Sequence, residues 1–450
     1  MNAELRSVPR APGRLPLLGH VWPLARDTLG FVKSLRDTGD LVRVDVGTMS
    51  VYFVNSPALV NELLVTKGRS FEKGRFFDRL KILVGDGLVT AGGETHRRHR
   101  KLMQPMFHRS RIAGYAEIMN AQALALAESW RPGETVAVER EMAALVVNTL
   151  SGTMFSTDIG KPAVDAIRVH LPVIVNTLLL RTASPSFLDR VPIPANRRFD
   201  AAAGQLLRVI DDVVAAARTA GDTDRPDLLS TLLAARDADT GESLTDVEVR
   251  DELSTILFAG AENTATTLTW AFHEIARHPE VEERLLDEIA AVSGGGPVTV
   301  DAVAKYEYLP RVINEVVRLH GVTLLMRRSV EPVELGGVLL PAGTEIAFSL
   351  YALHRDPRSF PDPERFDPDR WLPERSADRP RGAFVPFGSG TRKCIGDSFA
   401  WMQMIVSLAT LLSHRRLRPT GHFAREVAAA VPHPDRLPMV VEARHATEAP

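Results

Sequence analysis

The sequence predicts a mainly α-helical protein with a small β lobe, folded as a single domain over residues 1–450. Most of the chain has a helical period and is rich in Ala, Leu, Glu and Arg. Two short stretches instead alternate apolar and polar residues around glycines, which is typical of β-hairpins. One long apolar helix near the middle indicates a large core. With 45% hydrophobic residues, a chain of 450 residues can bury such a core in one unit.

The predicted β lobe comes from two hairpins. The first, LVRVDVGTMSVYFVNS, alternates on both sides of Gly47 and makes about residues 1–65 the β-rich N-terminal part. The second lies in residues 333–350, with two consecutive glycines as its turn. After it, residues 354–382 are dense in Pro, Asp and Arg and have no helix or strand period. A long irregular segment inside a compact domain is usually functional.

Composition limits the class of protein. The net charge of −2 and the pI of about 6.7 argue against a partner that is a nucleic acid or an acidic membrane surface. A single cysteine excludes an internal disulfide and fits a reducing compartment. The N-terminal region has no apolar run near the roughly 18 residues of a membrane span, and it lacks the pattern of a signal peptide. We therefore expect a cytoplasmic protein that does not enter a membrane.

The long central helix has clear ends. Thr245 and Glu248 have capping-box spacing, and Pro279 disfavours continuation, which leaves about 32 residues or about 48 Å. Its middle, TILFAGAENTATTLTW, is apolar nearly all round, so the helix should run through the core. Gly260 stands at its centre, where a glycine costs about 1 kcal/mol. Either the glycine marks a mild kink in a packing helix, or it lets a large group approach the helix.

The chain's one cysteine, Cys394, lies in the loop FGSGTRKCIG. A lone cysteine is often just a small buried hydrophobe. Here three glycines allow tight turns and close approach to a flat group, and Arg392, Lys393 and the start of the next helix should favour the thiolate. A thiolate without a second cysteine nearby is a candidate axial ligand of haem iron. A catalytic cysteine with a histidine base is the alternative, although it leaves the glycines and the apolar helix unexplained.

The loop resembles the cysteine loop of the cytochrome P450 family, F-x-x-G-x-R-x-C-x-G, at Phe387, Gly390, Arg392, Cys394 and Gly396. A match at five positions should occur by chance in roughly one such chain in ten thousand. The resemblance covers nearly the whole chain. It implies a cytochrome P450 fold with haem b between the central helix and the cysteine loop, residues 387–396. It also implies that Cys394 is the iron ligand, whose thiolate favours O–O cleavage, and that Phe387 screens it from water.

A weaker set of motifs follows the family's order. The helix residues Glu315 and Arg318 form its E-x-x-R, and FDPDRW resembles its F-x-P-E-R-F. The spacing to the cysteine places the matching arginine at Arg370, whereas the literal PERF around Arg365 is a decoy. The resemblance implies a buried ion cluster that fixes the irregular segment and takes no part in the chemistry.

The family also holds the two haem propionates with fixed donors, for which arginine is well suited. The resemblance places His96 and Arg100 in its W/H-x-x-x-R motif, one helical turn apart. Arg392 in the cysteine loop is a third donor. Arg327 is the fourth, with the adjacent Arg328 as its competitor.

The sequence AGAEN resembles the family's oxygen-binding A-G-x-(D/E)-T, with Glu262 as the acid and Asn263 in place of threonine. Thr264 comes one position later, about 100° around the helix. We expect Glu262 and Asn263 to be the catalytic residues: Asn263 would hold a water beside the oxygen site, and Glu262 would resupply its protons. The alternative is a register shift at Gly260 that gives the role to Thr264.

No electron-transfer domain follows in this chain, which ends about 55 residues after the cysteine. The resemblance therefore implies that a separate ferredoxin and ferredoxin reductase supply electrons for O2, and that the protein is a monomer. An acidic ferredoxin could bind a basic patch, unless those charges are simply solvated. The patch residues are Arg97, Arg98, Arg109, Arg392 and Lys393. The arginine–proline pair of the peroxide-using branch is missing.

The segments that contact substrate in the family are nearly all apolar here, which indicates a compact apolar substrate or simply core packing. They contain Phe76, Phe77, Ile174, Val175, Leu178, Leu179, Leu257, Ala261, Leu324, Leu325 and Met326. Stretches such as VPIPANRRFD resemble actinobacterial terpene hydroxylases of the pentalenene-oxygenase type, so we expect a sesquiterpene. Fatty acids, polyketide lactones and steroids are alternatives. A haem-thiolate sensor without turnover and a cysteine hydrolase are alternatives of other classes.

Overall fold

The computed structural model of the protein describes residues 5, 7–155, 191–221, 227–237, 240–294 and 296–444, together with 162, 165–166, 169–170, 173–174, 177 and 181. Helices form the body, and a five-stranded sheet lies at one side of it. The prediction of a mainly α-helical protein with a small β lobe is confirmed.

The α-helices with printed bounds are, in chain order, α1 (Val21–Arg26), α2 (Thr28–Ser34), α3 (Pro57–Asn61), α4 (Arg75–Val84), α5 (Gly93–Met103), α6 (Arg109–Ser129), α7 (Val138–Met154), α8 (Pro194–Ala220), α9 (Leu228–Ala234), α10 (Asp246–Arg277), α11 (Pro279–Ser293), α12 (Val300–Val303), α13 (Tyr308–Leu319), α14 (Leu350–Leu353), α15 (Pro373–Ser376) and α16 (Asp397–His414). Short 3-10 turns and one π-helical turn, Glu62–Thr66, connect some of them.

The strands are β1 (Leu41–Val46), β2 (Met49–Val54), β3 (Phe71–Lys73), β4 (Thr135–Ala137), β5 (Leu325–Ser329), β6 (Val333–Leu335), β7 (Val338–Leu340), β8 (Glu345–Phe348), β9 (Arg415–Pro419), β10 (Glu426–Val427), β11 (His433–Pro434) and β12 (Pro438–Ala443).

The larger sheet has the order β1-β2-β8-β5-β3. The β1–β2 hairpin turns at Gly47, whose φ of 60° suits glycine, and the β6–β7 hairpin turns at two glycines with positive φ. Both predicted hairpins are confirmed. The prediction that about residues 1–65 are β-rich holds only in part, because this stretch also contains α1, α2 and α3. The hairpin alone cannot bury its apolar face, so β8, β5 and β3 from elsewhere in the chain complete the sheet.

Helix α10 is the predicted central helix. It has 32 residues, and the Thr245–Glu248 capping box is complete at its start. It packs against α4, α7, α8, α13 and α16. Gly260 faces α7: a Cβ built on it would lie 3.2 Å from Leu150 Cδ1. The hypothesis that this glycine lets a large group approach is therefore wrong, because the close neighbour is a side chain of the next helix.

The irregular segment after α14 contains a 3-10 turn, Pro368–Trp371, and the four-residue α15. Arg318 donates to both carboxylate oxygens of Glu315 at 2.8 Å, and Arg370 Nε lies 3.3 Å from Glu315 Oε1. The backbone N–H of Asp367 also donates to this carboxylate. The predicted buried ion cluster is present, and it joins α13 to the irregular segment.

No helix within the described ranges is long and apolar enough to cross a membrane.

Candidate active site

The cysteine loop is closed by its own backbone. The N–H of Cys394 donates to the carbonyl of Phe387 at 2.9 Å, and the N–H of Lys393 donates to the carbonyl of Gly390. Gly390 has a φ of 69°, and a Cβ there would lie 2.1 Å from the carbonyl oxygen of Leu64 in the π-helical turn. Glycine is thus required at this position because protein backbone passes so close. Phe387 packs beside Trp401 of α16, with ring centroids 6.2 Å apart.

Cys394 is exposed to solvent, yet enough protein surrounds its thiol to desolvate it. Burial raises its pKa above the usual value, although a hydrogen bond from the Gly396 N–H to the sulfur and the charges of Lys73 and Arg100 act in the opposite direction. The expected contribution of backbone N–H groups is confirmed by Gly396, but the expected charges are not those of Arg392 and Lys393: Arg392 donates to the carbonyl of Ala91, and Lys393 pairs with Asp397. A metal ion on the sulfur would overcome the raised pKa, because a coordinating thiol is deprotonated outright.

Three of the predicted cofactor-binding residues converge on this loop. Arg100 of α5 donates to the carbonyl of Lys393 at 2.7 Å, and Arg392 donates to the carbonyl of Ala91 at 2.6 Å. His96 is buried one helical turn before Arg100. Burial and the charges of Arg392, Lys73 and Arg100 lower the pKa of His96 to about 3, so its ring is neutral at neutral pH and offers one N–H.

Arg327 and Arg328 point to different partners. Arg328 donates to Asp78 and Glu345 at the outer side of the sheet. Arg327 is buried, and its recorded hydrogen bond goes to the carbonyl of Met326. Burial and the charge of Arg392 lower the pKa of Arg327 to about 10, so it stays protonated at neutral pH. The structure thus brings Arg327, rather than Arg328, to the group around the cysteine.

Sequence reasoning missed Lys73. This residue ends β3 opposite Arg327 on β5, and the charges of Arg327, Arg392 and Cys394 act on the pKa of its amine. The segment SFEKG gave no signal, because the proximity depends on a strand pairing between residues far apart in the chain.

The residues around Cys394 fit a haem group. Within the described part of the chain, no carboxylate hydrogen-bonds to Lys73, Arg100, Arg327 or Arg392. The Glu72 carboxylate acts on Arg392 through its charge alone. Enclosed cations without hydrogen-bonded carboxylates are costly unless an anion neutralises them. The two propionates of haem are such anions, and the single accessible thiol beside the cations could ligate the iron.

One face in the middle of α10 is accessible, although the helix is mostly buried there. Ala259 and Asn263 are exposed and Thr267 is half-buried, in the i, i+4, i+8 order of a single face. Asn263 Nδ2 donates to the carbonyl of Ala259 at 3.1 Å. Thr264 is 6% exposed, on a different side. The helix is regular through Gly260, so the structure contains no register shift that would bring Thr264 to the accessible face.

Glu262 lies beside that face and is half-buried. Burial raises the pKa of its carboxyl, and the nearby His433 partly opposes this rise. No described group donates a hydrogen bond to the carboxylate. Glu262 therefore carries a proton more readily than a surface glutamate does, which is the property of a proton donor.

The apolar candidates for substrate contact divide by burial. Phe77, Leu257, Ala261 and Met326 are core residues, as is Ile174. Phe76 and Leu325 are half-buried, and Leu324 is exposed. Val175, Leu178 and Leu179 lie outside the described residues.

The proposed basic patch is smaller than the sequence suggested. Arg392 turns inward to Ala91, and Arg98 donates to Glu248 at 2.6 Å. Both are therefore engaged within the molecule. Arg97 is exposed, and Lys393 is exposed beside Asp397. The side chain of Arg109 lies outside the described part.

Comparisons with known proteins identify the family and the fold of the chain. The family model for Cytochrome P450 matches residues 9–425. Cyclooctat-9-en-7-ol 5-monooxygenase of Streptomyces melanosporofaciens is 41% identical over 437 residues, which cover 96% of this chain and 95% of that protein. Pentalenene oxygenase of Streptomyces avermitilis is 38% identical over 438 residues, covering 96% and 97%. The crystal structure of the cytochrome P450DA heme domain matches with a TM-score of 0.86 at 26% identity, over 97% of this chain and 98% of that one.

Proposed function

Because this chain belongs to the cytochrome P450 family, whose members are haem-thiolate monooxygenases, we propose that it hydroxylates a compact terpene, with a sesquiterpene as the leading candidate. O2 is the co-substrate, and a separate ferredoxin and ferredoxin reductase provide the electrons. The observation that carries the proposal is the enclosed thiol of Cys394 beside basic side chains to which no carboxylate of the described residues is hydrogen-bonded.

Each residue of the site has a role in this proposal. Haem b, when bound, supplies the chemistry that activates O2 and inserts one oxygen atom into a C–H bond. Cys394 binds the iron, and the Gly396 N–H holds the sulfur lone pairs in place. Arg100, Arg327 and Arg392 bind the propionates as charge-assisted donors, and neutral His96 adds one N–H. Phe387 covers the loop next to Trp401 and limits the access of water.

Asn263 and Glu262 on α10 together supply protons to the site. The Asn263 amide donates to Ala259, which leaves its carbonyl oxygen to accept a hydrogen bond from a water. An amide positions water well but does not readily pass a proton on. Glu262, whose pKa burial raises, is the group that resupplies that water.

The terpene assignment rests on two kinds of support. The relatives named as a cyclooctat-9-en-7-ol 5-monooxygenase and as a pentalenene oxygenase are each about 40% identical to this chain. In the described part of the chain, half-buried Phe76 and Leu325 are apolar, and neither can hold a polar substrate group by a side-chain hydrogen bond. Fatty acids, polyketide lactones and steroids are the competing substrates.

The experiment combines a ligand variant with a substrate screen. Cys394→Ser should lose both the long-wavelength Soret band of the reduced carbon monoxide complex and all hydroxylation, because serine holds its proton far more tightly than cysteine. Lys393→Gln is the matched control, since Lys393 is exposed and pairs only along the surface with Asp397; it should keep the band.

Binding-induced spin-state changes, measured with sesquiterpenes, fatty acids, macrolactones and steroids, should be largest for sesquiterpenes. Product formation with a ferredoxin system then separates an enzyme from a haem-thiolate sensor. A wild-type protein without the long-wavelength band would overturn the monooxygenase assignment, whereas a response to fatty acids alone would overturn only the substrate.

A further inference from the structure

His320 is buried between two carboxylates. It follows α13 directly, and its ring stacks on the Trp270 ring of α10, with the centroids 4.0 Å apart and the planes 4° apart. Nε2 lies 3.1 Å from Glu274 Oε1, and Nδ1 lies 2.8 Å from Glu426 Oε1. An ionised carboxylate only accepts hydrogen bonds, so both ring nitrogens must carry a proton. This is the geometry of an imidazolium shared by two glutamates.

Both carboxylates respond to this cation. Burial alone would raise the pKa of Glu274 and the pKa of Glu426, but the hydrogen bonds and the charge of His320, with smaller contributions from neighbouring groups, outweigh burial and lower both. A neutral His320 ring would instead turn a lone pair toward one of the two carboxylates. The contact between the three side chains therefore depends on a proton.

The carboxylate of Glu426 has two further neighbours. The Tyr351 hydroxyl of α14 donates to Oε2 at 2.6 Å and carries no charge. Arg355 Nη2 lies 3.8 Å from Oε1, beyond the length of a hydrogen bond, and Arg355 Nε donates to Glu364 at 3.1 Å. Among the described residues, His320 is thus the cation that is hydrogen-bonded to Glu426.

The groups of α10 and its end leave the same role to His320. His278 Nδ1 is hydrogen-bonded to the backbone carbonyl of Glu274 and lies 3.8 Å from its Oε2. Burial lowers the pKa of His273 to about 4, so this ring is neutral at neutral pH. The nearby Arg277 is exposed to solvent. The Glu274 carboxylate therefore also has its close hydrogen bond with the His320 ring.

The Glu426 carboxylate belongs to the hairpin β10–β11. Each strand of this hairpin has two residues, so it is marginal on its own and depends on attachments to the body of the protein. Trp270 Nε1 donates to the carbonyl of Pro432 at 2.8 Å, and the N–H of Thr323 donates to the carbonyl of Ala430 at 2.9 Å. The bond between the imidazolium and Glu426 is the attachment that carries charge.

The hairpin also reaches Glu262. Strand β11 packs against α10 and begins with His433, whose charge acts on the Glu262 carboxyl. When Glu262 gives up a proton, a carboxylate remains in a half-buried position. A protonated His433 stabilises that carboxylate, because opposite charges attract strongly where water is partly excluded. The position of the hairpin therefore affects how readily Glu262 supplies protons.

We propose that His320 is a positioning residue for the proton supply of the site. As an imidazolium shared by two carboxylates, it holds hairpin β10–β11 on α10. His433 then stays beside Glu262. This inference rests on the proposed function, because Glu262 has its catalytic role only there. His320 acts through the hairpin and not on the substrate.

The first measurement is the protonation of the His320 ring in the full-length, haem-loaded protein. The reduced carbon monoxide complex is diamagnetic, so long-range proton–nitrogen NMR spectra can be recorded on it. The ring signals that disappear in His320→Gln identify the residue. In wild type at pH 7, both of its nitrogens should be protonated. A ring with one unprotonated nitrogen would overturn the inference.

Hydrogen exchange measures how firmly the hairpin is held. In His320→Gln, the amides of residues 426–433 should exchange about 10-fold faster than in wild type, because an uncharged amide leaves two buried carboxylates without their shared cation. Glu426→Gln changes only the hairpin side of the contact and should have the same effect, so the test does not depend on the folding of the first variant. Exchange like that of wild type in both variants would overturn the inference.

His422→Gln is the matched control for hydrogen exchange. His422 lies at the base of the same hairpin, and its Nε2 is 3.4 Å from Asp435 Oδ1. Asp435 keeps the backbone N–H groups of Arg425 and Arg436 when this ring is removed. Exchange in the hairpin should therefore stay within about 2-fold of wild type. Equal acceleration in His422→Gln and His320→Gln would show that any loss of a histidine loosens the hairpin, and it would overturn the inference.

The yield of product per reductant tests the route to Glu262. With the substrate that gives the largest spin-state change, His320→Gln and His433→Gln should each lower this yield about 3-fold or more. The double variant should lose no more than the weaker single variant, because both changes act through one contact with Glu262. Losses that multiply in the double variant, or an unchanged yield in either single variant beside normal wild-type turnover, would overturn this inference alone. A wild-type protein without the long-wavelength band and without turnover would overturn the proposed function and this inference with it.

Discussion

The Glu315 carboxylate accepts hydrogen bonds of 2.8 Å from Nε and Nη2 of Arg318, and neither side chain is accessible to solvent. Arg370 reaches the same carboxylate, and its other nitrogens donate to the carbonyls of Pro361 and Asp362. One carboxylate thus organises two arginines and a stretch of backbone with no secondary structure. Buried charges of this kind contribute little net stability, but the loss of one partner is costly.

Arg370→Ala should destabilise the protein by about 3–5 kcal/mol and lower its haem content, because Glu315 then loses one of its two cations and three hydrogen bonds to carbonyls disappear. Arg365→Ala, the matched control, removes an exposed side chain and should cost only tenths of a kcal/mol. Urea denaturation and the ratio of Soret to protein absorbance measure both effects. Haem loss from the Arg365 variant with a normal Arg370 variant would reverse the assignment.

Asn263→Ala should consume reductant but release much of it as hydrogen peroxide, because the water near Glu262 loses its holder on the accessible face of α10. Thr264→Ala should stay largely coupled, since Thr264 is buried on another side. Asn263→Thr should keep substantial product formation, because a hydroxyl both donates and accepts. The ratio of product to reductant consumed measures all three. Uncoupling in Thr264→Ala, with coupled turnover in Asn263→Ala, would transfer the role to Thr264.

Ala259→Leu should reduce either haem content or substrate binding, because its side chain would project from the accessible face of α10. Gly260→Ala is the control and should leave haem content unchanged, because the new methyl group meets the movable end of the Leu150 side chain. Replacing the glycine should also stabilise the helix by up to about 1 kcal/mol. Haem content and thermal midpoint report both variants. A Gly260→Ala protein that lacks haem would show that the glycine does face the cofactor.

Glu248 should stabilise the protein in a pH-dependent manner. Burial alone would raise its pKa, but hydrogen bonds from the Thr245 N–H, Arg98 and His99 outweigh this and lower it to about 2. A folded pKa below the unfolded value of about 4.5 gives stability that is complete above pH 4.5 and is lost as the pH falls toward 2. The shift corresponds to at most about 3 kcal/mol at neutral pH, and solvent screening reduces this value because the Glu248 side chain is partly exposed.

Glu248→Gln should therefore lower the free energy of unfolding at pH 7, and its difference from wild type should narrow by about 1 kcal/mol at pH 4. Glu94→Gln, an exposed glutamate at the start of α5, is the control and should show no such difference. Urea unfolding at the two pH values measures the effect. A difference that does not change with pH would mean that Glu248 acts through packing rather than charge.

Local signals in the sequence were sufficient for part of the site. The cysteine loop, the capping box of α10 and the Gly47 turn are each determined by residues within a few positions of one another. Each of them can therefore be predicted from a short stretch of sequence. The E-x-x-R cluster needed one long-range assumption, the choice of Arg370 over Arg365.

Other features depend on contacts that no local pattern encodes. The meeting of Lys73 with Arg327 requires the register of two strands that are about 250 residues apart. The direction of Gly260 depends on which helix packs beside it, and Leu150 could not be named from the sequence. The inward turn of Arg392 toward Ala91 likewise removes a charge that composition alone would place on the surface.

The single cysteine of the chain also makes the protein a convenient reporter of its own state. Because Cys394 is exposed and is the one cysteine of the sequence, a small thiol reagent meets only one thiol, and iron coordination would shield it. Fluorophore incorporation per molecule then counts the haem-free fraction of a preparation. The same feature allows a second cysteine to be introduced at any surface position of the haem-loaded protein and labelled there selectively.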